Sequence, residues 1–305
     1  MTELVNGLKD ALEYTRLYRE QIFVIKLGGE VLSSDEALAN VAVQIALLES
    51  LSIRILVVHG GGPQASALTR QMGLEPEMVA GRRVTSPEVL EVAKMVYGGQ
   101  LNINVVAALR GQGVSAVGLT GTDAGMVTVH RRPPVEITDD DGDTRTVDFG
   151  EVGDVDGVDT RLLDILLPRG HVPVVASLAA DTGGQILNIN ADTLAAVLAG
   201  ALGAEKLIYM TGAPGLLRDA DDPSSLVAFA APEDLQALLV SKKVKGGMRP
   251  KVEACLEAVK GGVRRTHIID GRTPDALLLE LFTGHGSGTM IVGEREKRSY
   301  EEAGR

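Results

Sequence analysis

Short apolar runs alternate along this chain with longer segments in which apolar residues recur at helical spacing. The apolar runs cover residues 22–25, 53–58, 114–119, 172–176, 206–211 and 266–269, and they are rich in β-branched residues, as buried strands are. Helical segments are predicted at 34–48, 63–72, 87–97, 101–110, 160–168, from 192, and at 232–239, 251–259 and 274–282, with a break at Gly98-Gly99. This alternation predicts an α/β fold, a three-layer αβα sandwich with a central, mainly parallel sheet.

Two segments interrupt the alternation and predict antiparallel hairpins. Residues 126–149 contain β-prone pieces around Asp139-Asp140-Asp141-Gly142, a hairpin-turn signal, and we interpret them as a flap. A second hairpin is predicted with Gly183-Gly184 in its turn and residues 186–190 as its strand. Before the first strand, residues 1–20 predict an amphipathic helix, which either packs back on its own domain or is exchanged onto a partner subunit.

Composition and charge narrow the classes of function. The 305 residues carry a formal net charge of −11 without a basic stripe, which argues against nonspecific nucleic-acid binding, and we expect no nucleic-acid partner. Cys255 is the single cysteine, and the five histidines form no pair at metal-ligand spacing, so we expect no metal site built by the protein. No apolar run approaches 20 residues and no signal peptide is seen, so we expect a cytoplasmic protein without a membrane partner.

Glycine-rich loops follow the first two predicted strands. Lys26-Leu27-Gly28-Gly29-Glu30 ends the first strand, and His59-Gly60-Gly61-Gly62 ends the second. In a parallel sheet these loops would lie side by side and present backbone N–H groups to an anion, with Lys26 adding a charge suited to phosphate. The alternative for either loop alone is a tight strand-to-helix turn; the lysine favours the anion site.

Standard nucleotide-binding motifs are absent from the sequence. No Gly-x-x-x-x-Gly-Lys-[Ser/Thr] segment occurs, and the glycine pair at 111–113 precedes a predicted strand instead of following one. Lysine or aspartate does recur at the predicted turns. Lys26 follows the first strand beside two glycines, and Asp192 and Lys251 each open a predicted helix. Phosphoryl transfer needs positive charge around the transferred oxygens, which two lysines fixed by an aspartate would supply. Taken singly, Asp192 is equally well explained as a helix N-cap and Lys251 as a surface residue.

Nearly the whole chain resembles the amino acid kinase family, and most closely its acetylglutamate kinases of the arginine-regulated type. Seven motifs in order carry the resemblance: Val24-Ile25-Lys26-Leu27-Gly28-Gly29, Val57-Val58-His59-Gly60-Gly61-Gly62-Pro63, Gly81-Arg82-Arg83-Val84-Thr85, Asn188-Ile189-Asn190-Ala191-Asp192, Ala204-Glu205-Lys206-Leu207-Ile208, Gly246-Gly247-Met248-Arg249-Pro250-Lys251-Val252 and His267-Ile268-Ile269-Asp270-Gly271-Arg272.

The resemblance implies a reaction, its substrates and two lobes. ATP, with Mg²⁺ held mainly by its phosphates, would phosphorylate the γ-carboxylate of N-acetyl-L-glutamate in arginine synthesis. A carboxylate acceptor is already ionised at neutral pH, so no general base is required. Residues 21–180 would form the N-terminal lobe that binds the acid, and residues 181–295 the C-terminal lobe that binds ATP.

The resemblance also implies individual roles. Lys26 and Lys251 would stabilise the transition state, and Asp192 would organise them. The acceptor would be held by Gly61, Gly62, Arg83 and Asn188. ATP would lie along Gly28, Gly29, Gly212, Gly215, Leu217, Lys243 and Lys245. Many relatives have aspartate where Gly212 stands and asparagine where Glu30 stands, so both positions depart from the family pattern.

Relatives inhibited by arginine use an N-terminal helix to join dimers into a hexamer, with arginine bound beside that helix. Carried over, this implies a homo-oligomer, a dimer or hexamer, and an arginine site formed by Tyr14, Tyr18, Glu280, Gly286 and Gly288. Glu280 is a suitable anion for a guanidinium group.

Three other interpretations stay open. A kinase for a related carboxylate, such as an aminoadipate on an acidic carrier protein, would favour a basic rim, for which Arg82, Arg83, Arg131 and Arg132 are candidates. A catalytically silent arginine-sensing module is favoured by Gly212 and Glu30 but disfavoured by the lysine pair. A complex with a PII-type nitrogen-signalling protein would add to catalysis.

Overall fold

The structure is a computed structural model that describes residues 12, 14–79, 82–138, 144–219, 222–240, 248–283, 286–293 and 298. The helices in this part of the chain are α1 (Gly29–Leu32), α2 (Asp35–Ser50), α3 (Gly62–Gln71), α4 (Pro87–Ala93), α5 (Asn102–Gly111), α6 (Arg161–Leu166), α7 (Ala191–Ala201), α8 (Pro232–Val240), α9 (Met248–Lys260) and α10 (Ala276–Phe282). The strands are β1 (Ile22–Leu27), β2 (Arg54–His59), β3 (Met78–Val79), β4 (Arg82–Arg83), β5 (Ala116–Thr120), β6 (Val127–Arg131), β7 (Val135–Thr138), β8 (Thr144–Val147), β9 (Gly153–Val158), β10 (Val172–Ala176), β11 (Leu178–Ala180), β12 (Ile186–Asn188), β13 (Lys206–Thr211), β14 (Phe229–Ala230), β15 (Arg265–Asp270) and β16 (Thr289–Ile291).

Eight strands form the central sheet, in the order β14-β16-β15-β13-β1-β2-β10-β5. The six strands from β15 to β5 pair in parallel, and β16 is antiparallel to β15. The chain leaves β1 for β2 on one side and later places β13 on the other side. The strand order therefore reverses at β1, and open α/β sheets bind ligands at the carboxyl ends of strands beside such a reversal.

Helices cover both faces of this sheet. Phe23 and Ile25 of β1 pack with the apolar side chains of α2, α5 and α10 on one face, whereas Val24 packs with α7 and α9 on the other. This is the alternation expected of a strand that is buried on both sides. The predicted three-layer αβα sandwich is confirmed.

Both predicted hairpins are present. β7 pairs antiparallel with β8, and the predicted turn at 139–142 lies outside the described residues. β11 pairs antiparallel with β12, which ends at Asn188 and not at residue 190. β6 joins β9 and β11 in a separate four-stranded sheet, so the flap is larger than the predicted hairpin.

The predicted helix break at Gly98-Gly99 is wrong. A π-helical segment, Lys94–Leu101, joins α4 to α5 without interruption. Glycine weakens a helix by roughly 1 kcal/mol, which is a small cost beside the burial of Val96, Tyr97 and Leu101 in this segment.

The described part of the N-terminal helix packs on its own chain. Residues 14–18 are helical, and the ring of Tyr18 contacts Phe23 edge-on, with 5.2 Å between ring centroids. Residues 1–11 and 13 lie outside the described residues, so exchange onto a partner stays a prediction for them. None of the described helices is long and apolar enough to cross a membrane.

Candidate active site

The two glycine-rich loops lie side by side at the carboxyl edge of the parallel strands. β1 and β2 pair with Leu27 opposite His59, so the loops that follow them begin at the same level. With the first turns of α7 and α9, they enclose a cavity of about 640 Å³. The juxtaposition predicted from the sequence is confirmed.

Three charged side chains meet in this cavity. Lys26 Nζ lies 2.7 Å from Asp192 Oδ1, and Lys251 Nζ lies 3.4 Å from Asp192 Oδ2. Burial alone would raise the pKa of Asp192, but the charges of Lys26 and Lys251 outweigh it and hold that pKa below its ordinary value. Asp192 is therefore an ionised carboxylate between two ammonium groups at neutral pH.

Each member of this triad comes from a different element. Lys26 shares a β1 face with Val24, the face that α7 covers. Asp192 is the second residue of α7, and Asn190 Oδ1 caps this helix by accepting from the N–H groups of Asp192 and Thr193. Lys251 lies in the first turn of α9, with 17% of its side chain exposed. Explaining Asp192 as the cap or Lys251 as a surface residue is therefore wrong.

The second glycine loop leaves room for a ligand on one side only. A Cβ at Gly61 would overlap Leu101 Cδ1 and lie 3.0 Å from ring atoms of Tyr97. A Cβ at Gly62 would have Arg83 Nη2, at 3.9 Å, as its nearest contact. Gly61 is therefore needed for close packing, whereas Gly62 faces the open cavity.

Arg83 is held in place with one nitrogen unused. Its Nη2 donates to Gly62 O and to Ser66 Oγ, both at 2.6 Å. Its Nη1 is fully buried and has no partner among the described residues. A buried donor without a partner indicates a missing acceptor, and a carboxylate is the acceptor that arginine prefers.

The predicted acceptor-binding residues all line this cavity: Gly61, Gly62, Arg83 and Asn188. The Asn188 amide donates to Thr85 Oγ1 at 3.1 Å, which fixes its orientation. Their proximity to the lysine pair is an observation of the structure, and their roles in binding stay predictions.

A buried polar pair, which the sequence did not single out, supports the glycine loop. Burial, and then the charge of Lys26, lowers the pKa of His59 to about 4 against the effect of its hydrogen bond to Gly60. The neutral ring donates from Nδ1 to Gly60 O at 2.9 Å and accepts at Nε2 from Asn102 Nδ2 at 3.0 Å. The histidine before three glycines was the available signal; Asn102, far away in sequence, gave none.

The predicted ATP-binding residues are more scattered. Gly29 lines the cavity, whereas Gly28, Gly212, Gly215 and Leu217 do not, and Lys243 and Lys245 lie outside the described residues. The Gly28 N–H donates to Met210 O at 2.8 Å and is not available to a phosphate in this arrangement. Nucleotide contacts at these positions stay predictions.

The two positions that depart from the family pattern are neighbours in space. A Cβ at Gly212 would lie 2.9 Å from Glu30 Cγ, so the glutamate side chain occupies the space that a longer residue at 212 would need. Arg272 Nη2 donates to Gly212 O at 2.6 Å and its guanidinium also pairs with Asp270. Glu30 itself lines the cavity.

An ion pair joins two of the elements that line the cavity. Arg82 Nη2 donates to Glu253 Oε2 at 3.2 Å, and Arg249 Nε donates to Glu253 Oε1 at 3.1 Å. Arg82 belongs to β4 and Glu253 to α9, and both line the cavity. The strand that carries Arg83 is thus tied to the helix that carries Lys251.

A second polar cluster surrounds the carboxylate of Glu280 in α10. Glu280 Oε1 accepts from His267 Nδ1 at 2.6 Å, and its Oε2 accepts from the backbone N–H groups of Ser287 and Gly288 at 2.6 and 3.0 Å. His267 Nε2 lies 3.2 Å from Lys206 Nζ, which in turn lies 5.2 Å from the ring centre of Tyr18.

This cluster brings together residues predicted for an arginine site. Tyr14 stacks on Tyr18 with 5.9 Å between ring centroids. Gly286 adopts a φ of 64°, and a Cβ there would lie 2.7 Å from Glu280 Oε2. Burial and the charge of Lys206 lower the pKa of His267 to about 4, so its link to Glu280 is a hydrogen bond from a neutral ring. Lys206 and His267 were part of recognised motifs without being predicted to lie here.

Comparison with known proteins agrees with this geometry. The model of the amino acid kinase family matches residues 21–270. The acetylglutamate kinase of Myxococcus xanthus is 46% identical over 294 residues, which cover 96% of each chain. The acetylglutamate kinase of Symbiobacterium thermophilum is 45% identical, with 93% of this chain and 96% of that protein covered.

Solved structures give the same fold. The N-acetylglutamate synthase of Neisseria gonorrhoeae, complexed with coenzyme A and N-acetyl-glutamate, superposes with a TM-score of 0.81 at 28% identity; the match covers 95% of this chain and 63% of that longer one. Giardia carbamate kinase superposes with a TM-score of 0.63 at 15% identity over 90% of this chain and 99% of that one, which shows a likeness of fold alone. With its ordered motifs, its sheet topology and these relatives, the chain belongs to the amino acid kinase family.

Proposed function

We propose that this protein is an acetylglutamate kinase, which transfers the γ-phosphoryl group of ATP to the γ-carboxylate of N-acetyl-L-glutamate in arginine biosynthesis. One observation carries the proposal: the triad of Lys26, Asp192 and Lys251 shares a cavity with Arg83, whose Nη1 lacks a partner among the described residues. Relatives at 46% and 45% identity that bear this name support it. Because the reaction consumes ATP, we expect it in the cytoplasm.

Four residues bind the acceptor. Arg83 and Asn188 hold the acceptor, and the backbone of Gly61 and Gly62 approaches it closely. The acceptor carboxylate attacks without losing a proton, which agrees with a cavity whose nearby histidine, His59, is neutral and already hydrogen-bonded.

The two lysines stabilise the negative charge of the transition state. Negative charge develops on the transferred oxygens and on the leaving group, and Lys26 and Lys251 offset it from positions fixed by Asp192. Such preorganised groups are worth roughly 10²–10³ in rate each. The ammonium groups need no reorientation during the reaction because Asp192 already holds them.

Magnesium fits this cavity as a companion of ATP. Both oxygens of Asp192 face lysines, whereas the Glu30 carboxylate lines the cavity and makes no ion pair within the described residues. Mg²⁺ retains water and phosphate oxygens and needs only one or two carboxylates. We infer that Glu30, together with the phosphates of ATP, would hold the ion, which would supply neutralisation of phosphate charge.

A carrier-protein substrate is less well supported. Its acidic tail would require free arginines at the rim, but three of the candidates have carboxylate partners: Arg82 with Glu253, Arg131 with Asp148, and Arg132 with Asp154. The rim is therefore largely neutralised.

We also propose feedback inhibition by L-arginine, bound near Glu280, Tyr14 and Tyr18. The buried carboxylate of Glu280 beside an aromatic helix supports it. Further support comes from the N-acetylglutamate synthase of Neisseria gonorrhoeae complexed with coenzyme A and L-arginine, which superposes on 95% of this chain with a TM-score of 0.79 at 26% identity. A dimer or hexamer and a PII-type partner stay predictions. Millimolar arginine should inhibit the wild type and not Glu280→Gln; equal responses would contradict this site.

The activity test measures ADP release with Mg-ATP. N-acetyl-L-glutamate, L-glutamate and N-acetyl-aminoadipate are compared with the wild type, Lys26→Ala and Lys94→Ala, the last being a surface lysine paired with Glu91. We expect turnover of N-acetylglutamate by the wild type and Lys94→Ala, and a loss of at least about 100-fold in Lys26→Ala. Equal rates in all three proteins, or turnover of none of the acids, would overturn the proposal.

A further inference from the structure

Tyr97 stands in the π-helical segment and lines the same cavity as Arg83. The residue is 4% exposed, and its ring packs against Gly61, where a Cβ would come within 3.0 Å of two ring carbons. This placement gives the phenol a fixed position at the edge of the acceptor side of the site.

The Tyr97 hydroxyl has no hydrogen-bond partner among the described residues. Buried phenols almost always find a partner. Burial raises the pKa of Tyr97 against the effect of Arg83, so the hydroxyl stays protonated and is a donor.

Two residues that line this cavity therefore carry a donor without a partner among the described residues: Tyr97 through its hydroxyl and Arg83 through Nη1. The charge of Arg83 acts on Tyr97, which indicates that the two groups are close. A carboxylate has two oxygens and about four acceptor positions, so one carboxylate satisfies both donors.

We propose that Tyr97 is a substrate-binding residue whose hydroxyl donates to the same α-carboxylate that Arg83 holds. Resting on the proposed function, this makes Tyr97 a specificity residue for N-acylated amino acids with a free α-carboxylate. An α-amide in the same place loses the charge that strengthens both hydrogen bonds.

The test compares wild type with Tyr97→Phe, which keeps the ring against Gly61 and removes one oxygen. The substrates are N-acetyl-L-glutamate and its α-amide, whose γ-carboxylate is still free. We expect KM for N-acetylglutamate to rise about tenfold, as for a hydrogen bond to a charged group, with kcat and KM for ATP unchanged. The preference for acid over α-amide should narrow severalfold, and Tm should not fall, because the hydroxyl has no partner among the described residues of the unliganded protein.

Tyr209→Phe is the contrasting control. The Tyr209 hydroxyl already donates to Asp192 O at 3.2 Å, so its removal should lower Tm and leave the preference for acid over amide unchanged. An unchanged KM in Tyr97→Phe, or equal losses with acid and amide, would overturn the inference.

Calorimetric titration with N-acetylglutamate separates this inference from the proposed function. Binding without turnover by the wild type would refute the kinase activity while still testing Tyr97 through the affinity of the Phe variant. Absence of binding by the wild type would overturn both.

Discussion

Replacing Asp192 by asparagine tests the electrostatic core of the site. The amide has nearly the shape of the carboxylate, so packing and the cap at Asn190 remain. What disappears is the one negative charge between Lys26 and Lys251. The unliganded protein would then hold the buried Lys26 and the partly exposed Lys251 without the carboxylate that lies between them.

The size of the effect follows from the two distances. At an effective dielectric constant near 20, separations of 2.7 and 3.4 Å correspond to attractions of about 6 and about 5 kcal/mol before desolvation is counted. Dehydration of the three groups cancels much of this, and removal of one partner from a buried ion pair costs about 3–5 kcal/mol. We expect the free energy of unfolding to fall by that amount and kcat to fall by roughly 10²–10³.

Urea unfolding with and without Mg-ATP is the decisive assay. In Asp192→Asn the phosphates supply the missing negative charge, so ATP should stabilise the variant more than the wild type. Asp159→Asn, which breaks a surface pair with Arg161, serves as the matched control and should destabilise the protein far less than Asp192→Asn does. Equal destabilisation by the two variants, or equal stabilisation of wild type and Asp192→Asn by ATP, would refute the reasoning.

Three further predictions concern the loops around the site. Gly61→Ala should lower the free energy of unfolding by about 1–3 kcal/mol through overpacking, whereas Gly62→Ala should leave stability within about 0.5 kcal/mol and raise KM for the acceptor; similar denaturation midpoints would contradict this contrast. Gly212→Asp should lower stability and activity because its Cβ would meet Glu30 Cγ at 2.9 Å, and adding Glu30→Asn should restore both; additive losses in a double-mutant cycle would count against the contact. The pKa of His59 is about 4 in the folded protein and about 6.5 in the unfolded chain. The contribution of the neutral ring to stability is therefore fully present above pH 6.5. It is lost as pH falls toward 4, by about 1.4 kcal/mol per pH unit. Urea unfolding at pH 7, 6 and 5 should show a shallower slope for His59→Gln, and identical slopes would disprove the assignment.

Local patterns were sufficient to predict the layers of the fold and the position of Lys26. Buried parallel strands leave continuous apolar runs, and ligand loops must follow their carboxyl ends, so Lys26 and the glycines after it were recognisable from sequence. Asp192 and Lys251 needed the ordered motifs of a family, because a helix-start aspartate and a lysine are common features.

Contacts between distant residues were the part that the sequence could not provide. Gly98-Gly99 predicted a helix break because the low helix propensity of glycine can be recognised in the sequence. The burial of Tyr97 and Leu101, which holds the helix together, cannot be recognised there. Likewise, the sequence showed Glu30 and Gly212 only as two separate departures from the family pattern. The structure shows that the side chain of Glu30 lies in the space beside Gly212.

The ion pair between Arg82 and Glu253 has a thermodynamic consequence for an enzyme with two substrates. Arg82 precedes Arg83, which we propose holds the acceptor, and Glu253 lies two residues beyond Lys251, which we propose acts on the transferred phosphate. We therefore expect that a ligand that moves Arg83 also moves the helix of Lys251 through this ion pair. Such linkage is reciprocal: if the acceptor tightens ATP binding by some factor, ATP must tighten acceptor binding by the same factor. The coupling between the two substrates would then depend on one carboxylate, that of Glu253.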